Sequence, residues 1–202
     1  MQNLRARICA EGRIVSPTIL KVDSFLNHQV DPVLTMEIGR EFANHFQGDS
    51  ITKVLTIEAS GIHLAHATAF ALGVPFVYAK KKRAVTQNEE VYRTSIYSFT
   101  KQTTYEVCVA KSYLASSDVV LIVDDILAEG ASLVGLVKII ESSGAKLAGA
   151  GIVIEKSFQK GRSKLDNLGI KVHSLARIAS MENNEIQFIE SESEKDVAKT
   201  IC

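Results

Sequence analysis

The chain has 202 residues, enough for one domain with a sizeable core. Its 23 Lys and Arg match its 23 Asp and Glu, so no overall basic field points to nucleic acid. No apolar run approaches the roughly 20 residues that cross a membrane, and the first residues lack the apolar segment of a signal peptide. The 3 cysteines, Cys9, Cys108 and Cys202, lie far apart and offer neither a metal-ligand pair nor a disulfide framework, which points to a reducing cytoplasm.

Leu4 to Ile14 reads as a short helix, broken by Ser16-Pro17. Ile19 to Leu26 mixes apolar and polar residues without a clean period. Asp31-Pro32 opens a helix, with Asp as N-cap and Pro at the first helical position. Val33, Met36, Phe42 and Phe46 supply its apolar face, and Gly48 can end it. Lys53 to Ile57 is a strand running into Glu58-Ala59-Ser60-Gly61, then a helix to Leu72 with Gly73 as its stop. A strand, a small-residue turn and a helix start leave backbone N–H groups free for an anion; an ordinary strand-to-helix turn has the same outline.

Val74 to Ala79 is the next strand, and Lys80-Lys81-Lys82-Arg83 follows it directly. Such a run is either a solvated face or, fixed to a strand end, a reach toward a polyanion. Ala84 to Glu90 is polar and suits a lid over a site. Tyr92 to Phe99 and Thr104 to Ala110 alternate apolar and polar residues and predict a hairpin with Gln102 near its turn.

Val119-Val120-Leu121-Ile122-Val123 is the most telling stretch, because it runs straight into Asp124-Asp125-Ile126-Leu127-Ala128-Glu129-Gly130-Ala131-Ser132. A continuous apolar, mostly β-branched run fits a strand buried on both faces. The two carboxylates then stand at its carboxyl end, where open α/β sheets bind ligands. Gly130 lets a backbone approach a ligand, and Ser132 either caps the next helix or joins its free N–H groups around an anion. On the pattern alone, an acidic turn with a helix cap fits equally well.

Leu133, Leu136, Val137 and Ile140 form a helical stripe ending at Gly144. Leu147 to Ile154 is another apolar strand, with Glu155-Lys156 at its carboxyl end. Gly161 to Leu168 is a short helix stopped by Gly169; Val172 to Ala179 and Glu185 to Glu190 are short strands. The alternation predicts an α/β fold with a mostly parallel sheet. His63 and His66 share a helix face but have no third ligand near them in sequence. Gly149-Ala150-Gly151 lacks the third glycine of a dinucleotide loop and reads as tight packing.

The stretch from Val119 to Ser132 resembles the PRPP motif of type I phosphoribosyltransferases: a hydrophobic strand, two acids, two apolar residues and a small loop ending in Ser or Thr. The family usually has Thr-Gly where this chain has Glu129-Gly130. The likeness is stronger to the bacterial purine branch acting on xanthine, and extends to Leu20 through Gln29, Tyr97 through Thr103 and Gly151 through Gln159. It implies the type I phosphoribosyltransferase fold, a single domain over residues 1–202, with a small hood over the base formed by the N-terminal segment and C-terminal residues. The implied reaction joins N9 of xanthine to C1′ of PRPP, giving the 5′-monophosphate and pyrophosphate.

The resemblance assigns residues as follows. Asp124 and Asp125 take the ribose hydroxyls and are the catalytic acids. Ala128, Glu129, Gly130, Ala131 and Ser132 hold the 5′-phosphate. Glu58, Ala59, Ser60 and Gly61, with Lys80 and Lys81, hold the pyrophosphate. Leu20, Asn27 and Lys156 contact the base. Mg²⁺ is expected to accompany PRPP, with no protein side chain assigned to it. Ala128 stands where hypoxanthine-guanine enzymes carry a third acid, so the proton acceptor for the base is unassigned. The partners implied are xanthine, PRPP and a second copy of the chain in a cytoplasmic homodimer, with no nucleic acid and no membrane. Alternatives are action on another 6-oxopurine, or a non-catalytic PRPP-binding regulator.

Overall fold

The chain opens with α1 (Gln2–Glu11), which ends at Gly12 in an extended conformation (φ −67°, ψ 139°). A hairpin of β1 (Arg13–Ser16) and β2 (Ile19–Lys21) follows. The helix is therefore shorter than its apolar spacing predicts: Leu4 and Ile8 bury its inner face, while Ile14 pairs with Leu20 in the hairpin. The unpatterned segment after it is a one-turn π-helix, Asp23–Asn27, that buries Phe25 and Leu26. In this computed structural model, residues 1–81, 90–98, 102–183 and 185–189 are described.

Helix α2 (Pro32–His45) starts where Asp31-Pro32 predicts. The Asp31 carboxylate accepts from the N–H groups of Val33 and Leu34, which the helix leaves unpaired. Its buried stripe is Leu34, Ile38 and Phe42, continued by Phe46; Val33 is 67% exposed and so lies off the expected face. Then come β3 (Lys53–Ile57), α3 (Ile62–Leu72), β4 (Phe76–Ala79), the hairpin of β5 (Val91–Ser98) and β6 (Thr103–Ala110), β7 (Val119–Leu127), α4 (Ala131–Ser143), β8 (Lys146–Lys156), α5 (Gly161–Asn167), β9 (Val172–Glu182) and β10 (Glu185–Phe188). The expected lid at 84–90 lies outside the described residues except for Glu90.

The main sheet has the order β10-β9-β8-β7-β3-β4, parallel throughout except for β10 at its edge. Its central strands read as unbroken apolar runs because both faces are covered. Leu121, Val123 and Val153 face one cluster with Leu4, Phe25, Phe42 and Leu64. Val120, Ile122 and Ile152 face the other, with Leu136, Ile140 and Leu165. Side chains alternate across the sheet, so neighbouring residues of one run feed opposite cores. Gly149 and Gly151 are packing positions: a Cβ on either would stand 2.8 Å from the ring of Phe46 or Phe42.

Among the described residues no helix is long and apolar enough to cross a membrane. Cys108 is free and buried, whereas Cys9 is disulfide-bonded, which corrects the expectation drawn from the sparse cysteines.

Candidate active site

The chain leaves β3 through α3 toward β4 on one side of the sheet. It leaves β7 through α4, β8 and α5 toward β9 on the other. Such a reversal opens a crevice at the carboxyl ends of the two strands, the place where open α/β sheets bind ligands. The β3–β7 ladder registers Lys53 to Leu55 with Val120 to Ile122. Beyond it, β3 turns into Glu58–Gly61, while β7 stays paired with β8 as far as Leu127. Asp124 and Asp125 thus lie inside the strand rather than after it: β8 prolongs the ladder on one side while β3 stops on the other.

Asp124 and Asp125 are 4% and 8% exposed. Asp124 Oδ1 accepts from the Asp125 N–H at 3.0 Å, and Asp125 Oδ1 from the Ile126 N–H at 2.9 Å. Burial, reinforced by the charge of Asp125, pushes the Asp124 carboxyl well above the usual range, with Lys81 acting against it. Two crowded carboxylates resist ionising together, and hydroxyl donors or a cation would relieve them. Gly61 brings the β3 turn against this pair. A Cβ there would collide with Thr56 Oγ1 and stand 3.1 Å from Asp124 Oδ1.

Two backbone cradles flank the acids. In the first, the Glu58–Ala59 peptide is cis, and Glu58 Oε1 accepts from the Lys81 N–H at 2.5 Å. Among the described residues no hydrogen bond takes up the N–H groups of Ala59, Ser60 or Gly61. The Lys80 ammonium lies 5.9 Å from the Tyr78 ring centre and that of Lys81 5.6 Å from Tyr105. In the second cradle, Gly130 (φ +79°) is the N-cap of α4 and no side chain caps the helix. Ser132 therefore sits inside the first turn instead of capping it, and first-turn N–H groups have no partner within a helix. Gly130 packs on Gly161, where a Cβ would come within 2.9 Å of the Gly161 Cα.

At the neighbouring strand end, Lys156 closes β8, is 7% exposed and donates to the Thr18 carbonyl at 2.7 Å. Burial lowers its pKa, against the raising charge of Asp125. Asn27, last in the π-helix, donates from Nδ2 to Asp125 Oδ2 at 3.3 Å. Leu20 is 5% exposed and sits within the apolar cluster. The hairpin and π-helix are thus tied to the sheet end through Lys156 and Asp125. His63, at the start of α3, has its pKa lowered by burial, against the opposing charge of Asp125, and its buried Nε2 has no partner among the described residues. His66 turns away, its ring edge-on to Phe76 at 5.8 Å.

The sequence reading missed three features here. Phe158, two residues past Lys156, is 39% exposed and offers a flat apolar face at the same edge. Glu155 is fully buried and accepts from Arg162. Gly161 has no room for a side chain beside Ala128. The usable signal was an acid standing inside an apolar strand, Ile152-Val153-Ile154-Glu155, with an Arg seven positions on.

A phosphoribosyl transferase domain model matches residues 29–188. The xanthine phosphoribosyltransferase of Brevibacillus brevis is 59% identical over 192 residues, covering 95% of this chain and 98% of that protein. The xanthine phosphoribosyltransferase of Bacillus licheniformis is 50% identical over 190 residues, covering 94% and 98%. Among solved structures, the APRTase from Giardia lamblia complexed with 9-deazaadenine superposes with a TM-score of 0.73 at 26% identity, over 86% of this chain and 97% of that one.

Proposed function

The chain belongs to the phosphoribosyltransferase family, and from that premise we propose that it is a xanthine phosphoribosyltransferase, joining N9 of xanthine to C1′ of PRPP. The observation that carries the reading is the crevice between β3 and β7, where a buried acid pair stands between two backbone cradles. Asp124 and Asp125 accept from the ribose hydroxyls. The loop Ala128 to Ser132 holds the 5′-phosphate through its N–H groups. Glu58 to Gly61, with Lys80 and Lys81, holds the pyrophosphate. Asn27 and Lys156 orient the base, and Phe158 offers it a stacking face.

In the reaction the N9 lone pair forms the bond to C1′. The C1′–O bond breaks with its electrons going to pyrophosphate, and the base gives up one ring proton. The ribose ring gains positive charge on the way, and the adjacent carboxylates stabilise it; Lys80 and Lys81 stabilise the negative charge on the leaving group. Mg²⁺ would be held chiefly by the oxygens of PRPP, since among the described residues no three His, Cys, Asp or Glu side chains group to hold a metal ion; the crowded, buried carboxylates of Asp124 and Asp125 are the hard oxygen donors that suit it. When bound with PRPP it supplies charge neutralisation at the pyrophosphate.

Three further points rest on family likeness. The chain works as a homodimer, as type I phosphoribosyltransferases commonly do. Residues 1–202 form one catalytic unit, with the β1–β2 hairpin and π-helix as its hood. It acts in the cytoplasm, where a polyanion such as PRPP is retained. The test is incubation with Mg²⁺, PRPP and xanthine, guanine or hypoxanthine, with detection of nucleotide. XMP as the preferred product is the expected result, and no nucleotide from any of the bases would overturn the reading.

A further inference from the structure

We infer that the buried Glu155–Arg162 pair is a positioning device that holds the 5′-phosphate loop and the base-side turn in fixed relation to each other. The inference rests on the phosphoribosyltransferase reading and goes beyond it. None of the roles assigned above uses either residue.

Glu155 is the penultimate residue of β8 and has no exposed surface. Its Oε2 accepts from Arg162 Nε at 3.0 Å, from Arg162 Nη2 and from the Ser174 hydroxyl, both at 2.5 Å. Its Oε1 accepts from the Ser157 hydroxyl at 2.6 Å and from Arg177 Nε at 3.3 Å. Burial works to raise the Glu155 pKa; the hydrogen bonds from Arg162, Ser157 and Ser174 outweigh it and hold the group below its usual value. Arg162 is in turn fixed to β9, donating from Nη1 to the Val172 carbonyl at 3.1 Å.

A buried ion pair is weak evidence of a stability role, because packed apolar residues often serve the fold as well or better. What distinguishes this pair is what it joins. Ser157 lies in the turn between Lys156 and Phe158, the base side. Arg162 lies in the first turn of α5, and α5 carries the phosphate loop. The Gly161 N–H donates to the Ala128 carbonyl at 2.9 Å, and Lys164 Nζ donates to the Glu129 carbonyl at 2.7 Å. Gly161 and Gly130 leave no slack, since neither backbone can accept a Cβ beside the other. A displaced Arg162 therefore carries Gly161 and Lys164 with it, and the loop carbonyls they hold. The same carboxylate fixes the turn that presents Lys156. Reaction at C1′ needs the base and the phosphoribosyl group aligned within a fraction of an ångström, and small misplacements are costly.

The test compares two ligands that differ only in the 5′-phosphate, XMP and xanthosine. The ratio of their dissociation constants reports what the loop contributes. In Arg162→Lys and Glu155→Gln proteins the XMP advantage should fall about tenfold or more, xanthosine affinity should stay within about twofold, and KM for PRPP should rise by more than kcat falls. A merely structural pair would lower the melting temperature and leave the ratio alone. Should either single variant not fold, the paired Glu155→Leu, Arg162→Met protein replaces the ion pair with apolar packing. A folded double variant with the wild-type XMP-to-xanthosine ratio would overturn the inference; a folded one with the ratio collapsed supports it. Wild-type turnover tests the enzyme reading separately, and if another purine is the substrate its nucleotide and nucleoside serve as the ligand pair.

Discussion

Asn27 Nδ2 donates to Asp125 Oδ2 at 3.3 Å, joining the hood residue assigned to the base and an acid assigned to the ribose. The bond commits the amide's donor side to the acid. It leaves Oδ1 buried and without a partner among the described residues. Asn27 thus presents an acceptor, which suits a ring N–H of xanthine or the 2-amino group of guanine. Asp125 fixes the amide's orientation, and any donor toward the 2-oxo group has to come from elsewhere. Asn27→Leu should lower kcat/KM for xanthine about tenfold, change the xanthine-to-guanine ratio, and also raise KM for PRPP because Asp125 loses its partner. Steady-state constants for xanthine, guanine and PRPP decide it; unchanged constants for all three remove Asn27 from the site.

The acid pair makes stability and activity move in opposite directions. Burial and the neighbouring Asp125 charge hold the folded-state pKa of Asp124 well above the ordinary 3.8, so above 3.8 the folded chain keeps a proton that the unfolded chain releases. Stability contributed by Asp124 is therefore full below the unfolded pKa and is lost as pH rises through the folded one. Asp124→Asn removes the buried charge and should raise the melting temperature of the ligand-free protein at neutral pH, by about 2–4 °C for each kcal/mol recovered. Asp125→Asn and the double change should lower turnover at least about a hundredfold, in line with roughly 3 kcal/mol for one placed electrostatic group. Near-normal turnover in the double variant would sink the phosphoribosyl-transfer reading.

Much of this was legible because it is local. Asp31-Pro32 starts a helix through contacts two and three residues away, and Gly73 and Gly144 stop helices at positive φ. The runs Val119 to Val123 and Leu147 to Ile154 announced strands covered on both faces. What escaped is long-range. Ile14 leaves the helical pattern because Leu20 pairs with it, and β7 continues through the acids because β8 does. The π-helix at Asp23–Asn27 has no period to read, and its bond to Asp125 spans 98 positions. The acid pair and the two strand-to-helix turns stand out in the sequence as motifs; that Arg162 answers Glu155 depends on how α5 returns to β8.

A second pH dependence lies away from the site. His173 stacks on His45, ring centres 3.7 Å apart, and meets Phe42 edge-on at 6.3 Å. Burial, then the neighbouring His45, the N-terminus, Lys171 and Arg162, lower the His173 pKa to about 4. Burial and Lys171 lower that of His45, against Asp49 and Glu41. A depressed histidine contributes stability that is full above the unfolded value of 6.5; it is lost as pH falls toward about 4, because the unfolded chain takes a proton that the folded chain refuses. His173→Phe should flatten the fall in melting temperature between about pH 7 and pH 4.5 relative to wild type. Parallel curves for the two proteins would place the acid sensitivity elsewhere.

Lys156 links the β1–β2 hairpin to the base site proposed above. Its ammonium is buried and donates to the Thr18 carbonyl in the β1–β2 turn, so it latches the hairpin to the sheet. A base oxygen reaching that ammonium would share or displace the latch. Lys156→Met should raise KM for xanthine, guanine and hypoxanthine alike, because all three offer a 6-oxo group to the lost donor. It should also speed hydrogen exchange in Ile19–Lys21, where the hairpin loses its tether. The lowered pKa adds a signature: burial favours the neutral amine, so the donor's charge is lost at a pH below the ordinary 10.5, and KM should climb on the alkaline side before that value. Lys156→Arg keeps its charge throughout and should delete that alkaline limb while retaining part of the affinity. Because xanthine itself loses a proton in alkali, the profile should be taken with hypoxanthine as well. An alkaline limb that persists unchanged in the Arg variant would assign the titration to the base and leave Lys156 only the latch.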